Sequence, residues 1–555
     1  MINKMSLALL IAFQIIIINC HKCGTDLIKR VPGKISTLNV TNIKRKTESI
    51  NFYKGIKIKV DMTQIKRQNI FDNENLKKLE DIFSEIVDSF SKILSVRHYY
   101  LIEDYSQTFK DYCDVENLEE SSKTGFKDND LLIFPYVDVN YERINENVLA
   151  AATPCLTSEE TFRPMAGLVL INKNLVREIS QKKDYKYYMK NLLFHELTHV
   201  LGFHPIYLDG LKLTYSERID GIEYTYVKSK KVLEKAKMHF GCDTIQGLQL
   251  ENQGGEGSSG SHWETRYMLG DYMIASDYTE VVMSDITLAL LEDTGFYKVK
   301  YYTGGLFRFG KNQGCSFLEK KCLYEQGKQT LFSNEFCVNS GEAFCSTSHI
   351  AKGDCYIVKY QNELSDLYRY FQDRTIGGLP SSDYCPVSYM LQSDQDSNYY
   401  YPKNCQYGKE ENDDIIGSNS LCFESSIYLS EKESVCYKII CDRKQKSFDV
   451  QIRNTVVNCP GEDTILTNPN NLKGELNCPD YNMVCTSDIW CNDIFDCIDK
   501  SSEADNTTYD YISNKKALLL KDREASSTED SKFDNVNFLN KKIKSIFSYL
   551  LLLFI

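Results

Sequence analysis

Polar and apolar residues alternate over GIKIKVDM, from Gly55 to Met62, as they do on a strand with one buried face. The next patterned segment, NLKKLEDIFSEIVDSFSKIL, places Leu79, Ile82, Ile86 and Phe90 three or four residues apart, which predicts an amphipathic helix. DLLIFPYVDV, starting at Asp130, and AGLVLIN, from Ala166 to Asn172, are short apolar runs of strand type; a helical pattern then runs from about Tyr185 to Leu201. Strands and helices mix without an internal repeat, so the expected fold class is α+β.

The ends of the chain carry different patterns. At the N-terminus Lys4 precedes an uncharged apolar run from Leu7 to Ile18, the layout of a secretory signal peptide, expected over residues 1–20. A retained anchor is the competing reading, but the run falls short of the ~20 apolar residues that span a bilayer. Lys22 to Ser49 is basic, lacks an apolar period and contains the glycosylation triplet Asn39-Val40-Thr41. It reads as a pro-segment. At the other end, small residues from Ala525 to Ser527, a polar spacer and the apolar tail Ile546 to Ile555 resemble a glycolipid-anchor signal, against the alternative of a plain hydrophobic end.

Composition narrows the setting. A chain of 555 residues with 42% hydrophobic and 26% charged residues is globular and long enough for two or three domains. Its formal charge of −12 leaves no basic surplus to attract a phosphate backbone, so no nucleic-acid partner is expected. Twenty cysteines fit an oxidising compartment. Most of them follow Gly314, which implies a disulfide-braced C-terminal module, followed by a polar stalk with a second triplet at Asn506-Thr507-Thr508.

The chemistry is concentrated in NLLFHELTHVLGF. His195 and His199 lie four apart, hence one above the other on a helix, where both imidazoles can reach one metal ion; Glu196 sits beside them, within reach of a metal-bound water. Two half-buried histidines on an ordinary helix are the competing reading. Gly202 follows three residues after His199, where a residue without a Cβ lets the helix end and the chain turn away. A contiguous metzincin motif would place its third histidine at position 205, which is Pro205; His204 is one residue short and is read as facing solvent or backing the site. The third ligand must then come from His21, His98, His239, His262 or His349. His262 follows the stretch ENQGGEGSSGS and precedes Met273 by eleven residues, a spacing that would let a tight turn bring a thioether under the metal.

These residues resemble the leishmanolysin family of zinc metalloproteases, metzincins whose third histidine is separated from the HExxHxxG helix by an inserted segment. The likeness is densest from about Asp130 to Cys322: VLAAATPC and RPMAGLVLIN before the helix, FGCDTIQGLQLENQGGEGSSGSH up to His262, MIAS at Met273, then ALLEDTGFYKVKY and FGKNQGCSFLEKKC. It implies that His262 is the third zinc ligand and that Met273 forms the Met-turn. It implies disulfides Cys113–Cys155 and Cys242–Cys315. HKCGTD resembles the family's pro-segment cysteine motif and departs from it after Cys23; by that resemblance Cys23 could bind the zinc and hold a zymogen inactive.

The expected architecture is a metzincin-type catalytic domain with an active-site helix, an inserted central segment and a disulfide-rich, mostly β or irregular C-terminal domain. Its expected parts are a signal peptide (1–20), a pro-segment (21–50), an N-terminal catalytic subdomain (51–205), an insertion bearing the third ligand and Met-turn (206–300), a cysteine-rich domain (301–505), a stalk (506–545) and an apolar tail (546–555). One Zn²⁺ per chain, held by His195, His199 and His262, would lower the pKa of its water, with Glu196 as general base. Ala166 to Asn172, read as an edge strand, could pair with an extended substrate and so accept many sequences. The expectation is a monomeric endopeptidase of broad specificity acting on proteins or peptides at the cell surface or outside the cell, touching membrane only through a C-terminal lipid anchor. A surface adhesion or binding protein with a zincin fold is the alternative, and a zinc hydrolase of another bond a third.

Overall fold

A computed structural model describes residues 36–38 and 53–503, apart from 99–103, 125, 140–147, 175–180, 254–257, 276–281, 302–306, 333–334, 340–342, 391–397, 400–402, 412, 443 and 486–493. The signal peptide, Cys23, both glycosylation triplets, the stalk beyond residue 503 and the apolar tail lie outside the described residues.

The sheet that positions the site has five strands: β1 (Ser36–Leu38), β2 (Ile58–Val60), β3 (Leu131–Asp138), β4 (Ala150–Ser158) and β5 (Pro164–Asn172). Their order is β1-β4-β5-β3-β2. β3 runs parallel to both β2 and β5, β4 is antiparallel to β5, and β1 is parallel to β4. Side chains alternate between two cores as a period of two requires. Leu131, Ile133, Val169 and Ile171 enter the main hydrophobic cluster, whereas Leu132, Phe134, Ala166 and Leu168 pack with Phe109, Cys155 and Leu156 on the other face.

Two expectations are corrected by this topology. Ala166 to Asn172 is not an edge: β5 is central, hydrogen-bonded on both sides and buried along its whole length. A strand covered on both faces reads as an unbroken apolar run, which is what Met165 to Ile171 is. The segment Lys22 to Ser49, read as unpatterned, contains β1, which pairs with Leu156, Thr157 and Ser158 of β4. A strand of three residues is too short to show a period.

Helix α1 (Asn73–Ile93) starts where the Asp72 carboxylate accepts the Asn75 N–H at 2.8 Å. It buries Leu79, Ile82, Ile86 and Phe90 and packs against helix α2 (Tyr185–Leu201), where the rings of Phe90 and Phe194 stack with centroids 4.2 Å apart. α2 lies across β4 and β5.

The main core continues into the C-terminal half, taking in Val387, Met390, Ile494, Phe495 and Ile498. A second core lies in a six-stranded antiparallel sheet: β6 (Ser420–Ser425), β7 (Glu433–Asp442), β8 (Ser447–Ile452), β9 (Thr455–Cys459), β10 (Thr464–Thr467) and β11 (Glu475–Cys478), in the order β9-β8-β7-β6-β11-β10. Eight disulfides join described cysteines, among them Cys113–Cys155 and Cys242–Cys315. Cys497 is disulfide-bonded as well. Among the described residues no helix is long and apolar enough to cross a membrane.

Candidate metal centre

α2 ends at Leu201, and Gly202 caps it with φ 155°, a left-handed conformation that side chains rarely adopt. Its N–H bonds the carbonyls of Thr198 and His199, and the turn brings the Phe203 carbonyl back to Nδ1 of His199, 2.7 Å away. Pro205 then opens helix α3 (Pro205–Gly210), capped by His204, whose Nδ1 accepts the Ile206 N–H at 3.3 Å. His204 is buried, which removes the solvent-facing one of its two expected placements, and it stands outside the histidine cluster.

His262 reaches the helix from a loop. Its neighbour Trp263 is bridged to Leu250 on one side and to Ile274 on the other, which ties the loop to the turn containing Met273. The Trp263 N–H donates to the Met273 carbonyl at 2.9 Å. Met273 itself is buried.

Candidate ligand atoms of His195, His199 and His262 all lie within 4.8 Å of one another. The Nε2 of His195 is 3.0 Å from that of His199 and 3.2 Å from that of His262. Three nitrogens each ~2.0–2.1 Å from one zinc ion at tetrahedral angles would stand about 3.3 Å apart, so the spacing fits such an ion. The far side of each ring supports the same conclusion. Nδ1 of His195 lies 2.6 Å from the Tyr272 carbonyl, and Nδ1 of His262 lies 3.0 Å from the Ser258 carbonyl, in parallel with the His199–Phe203 pair. A carbonyl can only accept, so each Nδ1 carries the proton and each Nε2 presents a lone pair inward.

Burial also keeps the rings neutral, as metal ligation requires. It holds the His195 pKa down at about 4 and that of His262 at about 3. His199 is lowered well below the ordinary histidine value, first by burial and then by the neighbouring histidines. Glu196 is buried on the same helix turn, between the two helical histidines in sequence.

Sequence reasoning singled out the side chains and missed what orients them. Tyr272, Phe203 and Ser258 act through backbone carbonyls, which every residue has, so no residue type could mark them. The one sequence signal was Gly202, whose turn aims the Phe203 carbonyl.

The Leishmanolysin family model matches residues 60–491. The leishmanolysin of Leishmania tropica is 26% identical over 401 residues, covering 69% of this chain and 59% of the relative. That of Leishmania major is 27% identical over 389 residues, covering 66% and 61%. The leishmanolysin-like peptidase of Caenorhabditis elegans is 27% identical over 371 residues, covering 54% and 55%. The chain thus spans about three-fifths of the length of the curated relatives it matches. A match that runs from β2 to the end of the second core, over the helix and loop that bring three histidines together, places this chain in the leishmanolysin family.

Proposed function

We propose that this chain is a zinc metalloendopeptidase that hydrolyses peptide bonds of proteins outside the cell or at its surface. The observation that carries the reading is the convergence of three neutral imidazoles, those of His199 and His262 buried and that of His195 partly buried, at the helix that also carries the buried Glu196. His195, His199 and His262 would hold one Zn²⁺. When bound, the ion supplies a Lewis acid that polarises the scissile carbonyl and acidifies a water.

The protein's own groups do the rest. Tyr272, Phe203 and Ser258 hold the three rings in one tautomer, so that no ring has to reorient on loading. A carboxylate oxygen of Glu196 takes the proton from the attacking water and delivers it to the leaving amine. Because β5 is central, pairing with an extended peptide beside α2 would have to use β4, whose far side is paired with a strand, among the described residues, only at Leu156, Thr157 and Ser158. Backbone pairing there would accept many sequences, which fits broad specificity. The wealth of disulfides supports an oxidising, extracellular setting.

The test is hydrolysis of casein or a quenched peptide with and without 1,10-phenanthroline. Cleavage that the chelator abolishes and zinc restores is expected. A folded, zinc-loaded protein that cleaves neither substrate would overturn the reading in favour of a binding role.

A further inference from the structure

Asp271 is neither a candidate ligand nor the candidate base, yet its carboxylate is fully buried and bonded on both oxygens. One oxygen accepts the Met273 N–H at 2.8 Å. The other accepts the Thr287 hydroxyl at 2.8 Å and the Ser284 N–H at 3.3 Å. Ser284 caps the helix Asp285–Asp293, and Thr287 stands in its first turn. Thr287 donates to Asp271 and in return accepts the indole N–H of Trp263 at 2.8 Å.

Three parts of the metal centre meet at this carboxylate. Trp263 adjoins His262 in sequence. Met273 is tethered directly. Between Asp271 and Met273 lies Tyr272, whose carbonyl receives Nδ1–H of His195 and whose hydroxyl lies 3.0 Å from that of Thr198 on α2. We infer that Asp271 is a positioning residue of the metal centre: through Met273, Thr287 and Trp263 it sets both the carbonyl that orients His195 and the loop that presents His262. It does so without touching the ion. This rests on the reading that the three histidines hold zinc.

The pattern of donors explains why a carboxylate is needed. Two backbone N–H groups, from Met273 and Ser284, approach different oxygens of the same side chain. An amide has one acceptor oxygen, so in Asp271→Asn either orientation turns an NH₂ toward a backbone N–H. Removing such an outer partner of a metal ligand typically costs 10- to 100-fold in metal affinity.

The experiment measures zinc affinity of the full chain by competition with a chromophoric chelator, and the visible absorption of the cobalt-substituted protein, for wild type, Asp271→Asn and Thr287→Val. Thr287→Val keeps the Met273 and Ser284 N–H bonds to Asp271 and removes the hydroxyl that joins Asp271 to Trp263, so it carries the test if Asp271→Asn does not fold. Zinc affinity is expected to fall 10- to 100-fold in Asp271→Asn and several-fold in Thr287→Val, with an altered cobalt spectrum. Wild-type affinity and spectrum in the folded variants, even with a lower melting temperature, would show a merely structural role and overturn the inference. A wild-type chain that binds no zinc would overturn the functional reading first, and this inference with it.

Discussion

A Cβ on Gly167 would lie 2.4 Å from Cγ1 of Val200. Gly167 is on the central strand β5, and Val200 follows His199 on α2, so the absence of one side chain sets how closely the helix bearing two of the histidines approaches the sheet. Gly167→Ala should therefore force the helix outward and cost ~1–3 kcal/mol of stability, as overpacking does. Adding Val200→Ala should recover part of that loss. Denaturant unfolding of the single and double variants decides it; a Gly167→Ala protein as stable as wild type would mean the helix has room to spare.

Glu196→Gln preserves the shape of the side chain and removes its basicity. Peptide hydrolysis should fall at least about a hundredfold while zinc content stays at the wild-type level, since the three imidazoles are unchanged. Metal analysis beside a kinetic assay reads both quantities. Activity that survives would remove Glu196 from the role of base.

The two histidines competing for the third position can be told apart by metal content. His262→Ala should lose most of its zinc. His204→Ala should retain it and lose only a helix cap and some buried contact, because its Nδ1 is engaged with the Ile206 N–H and its ring stands outside the cluster. The opposite pattern would reverse the assignment.

His204 and His239 both have pKa values lowered to about 4 by burial. Nε2 of His239 lies 2.8 Å from the Phe309 carbonyl, and its ring stacks on Phe307. In the unfolded chain both would titrate near the ordinary value of about 6.5, so unfolding takes up protons between the two values. The stability they confer is complete above about pH 6.5 and is lost as pH falls toward about 4, roughly 3 kcal/mol per ring. Unfolding free energies of the metal-free protein at pH 7 and pH 5 should show this loss. His239→Gln should flatten it, and an unchanged slope would discount His239 as a source.

How much of this was legible in the sequence depends on the range over which each feature is determined. The helices at Asn73–Ile93 and Tyr185–Leu201 follow from periodicity and end signals, which are local. His195, Glu196 and His199 share one helix turn and needed nothing more. His262 could not be singled out from the remaining histidines by spacing alone, because its approach is set by pairing between Trp263, Leu250 and Ile274. Which strand is an edge is likewise a property of pairing. The unbroken apolar run of β5 did show that both its faces are covered, since a strand with one wet face would have alternated. The acceptors behind the three rings were invisible, since carbonyls have no residue signature.

The disulfides divide the chain in a way that bears on the three histidines. Residues 156–241 contain no cysteine, and none of the eight disulfides between described cysteines spans the stretch carrying His195 and His199, while His262 lies inside the loop closed by Cys242–Cys315. An ion held by all three would close a ring joining the unlooped stretch to the looped one. In covalent topology it would act as one more staple, placed where those eight disulfides leave none, and would attach the helix to the His262 loop by coordination as well as by packing.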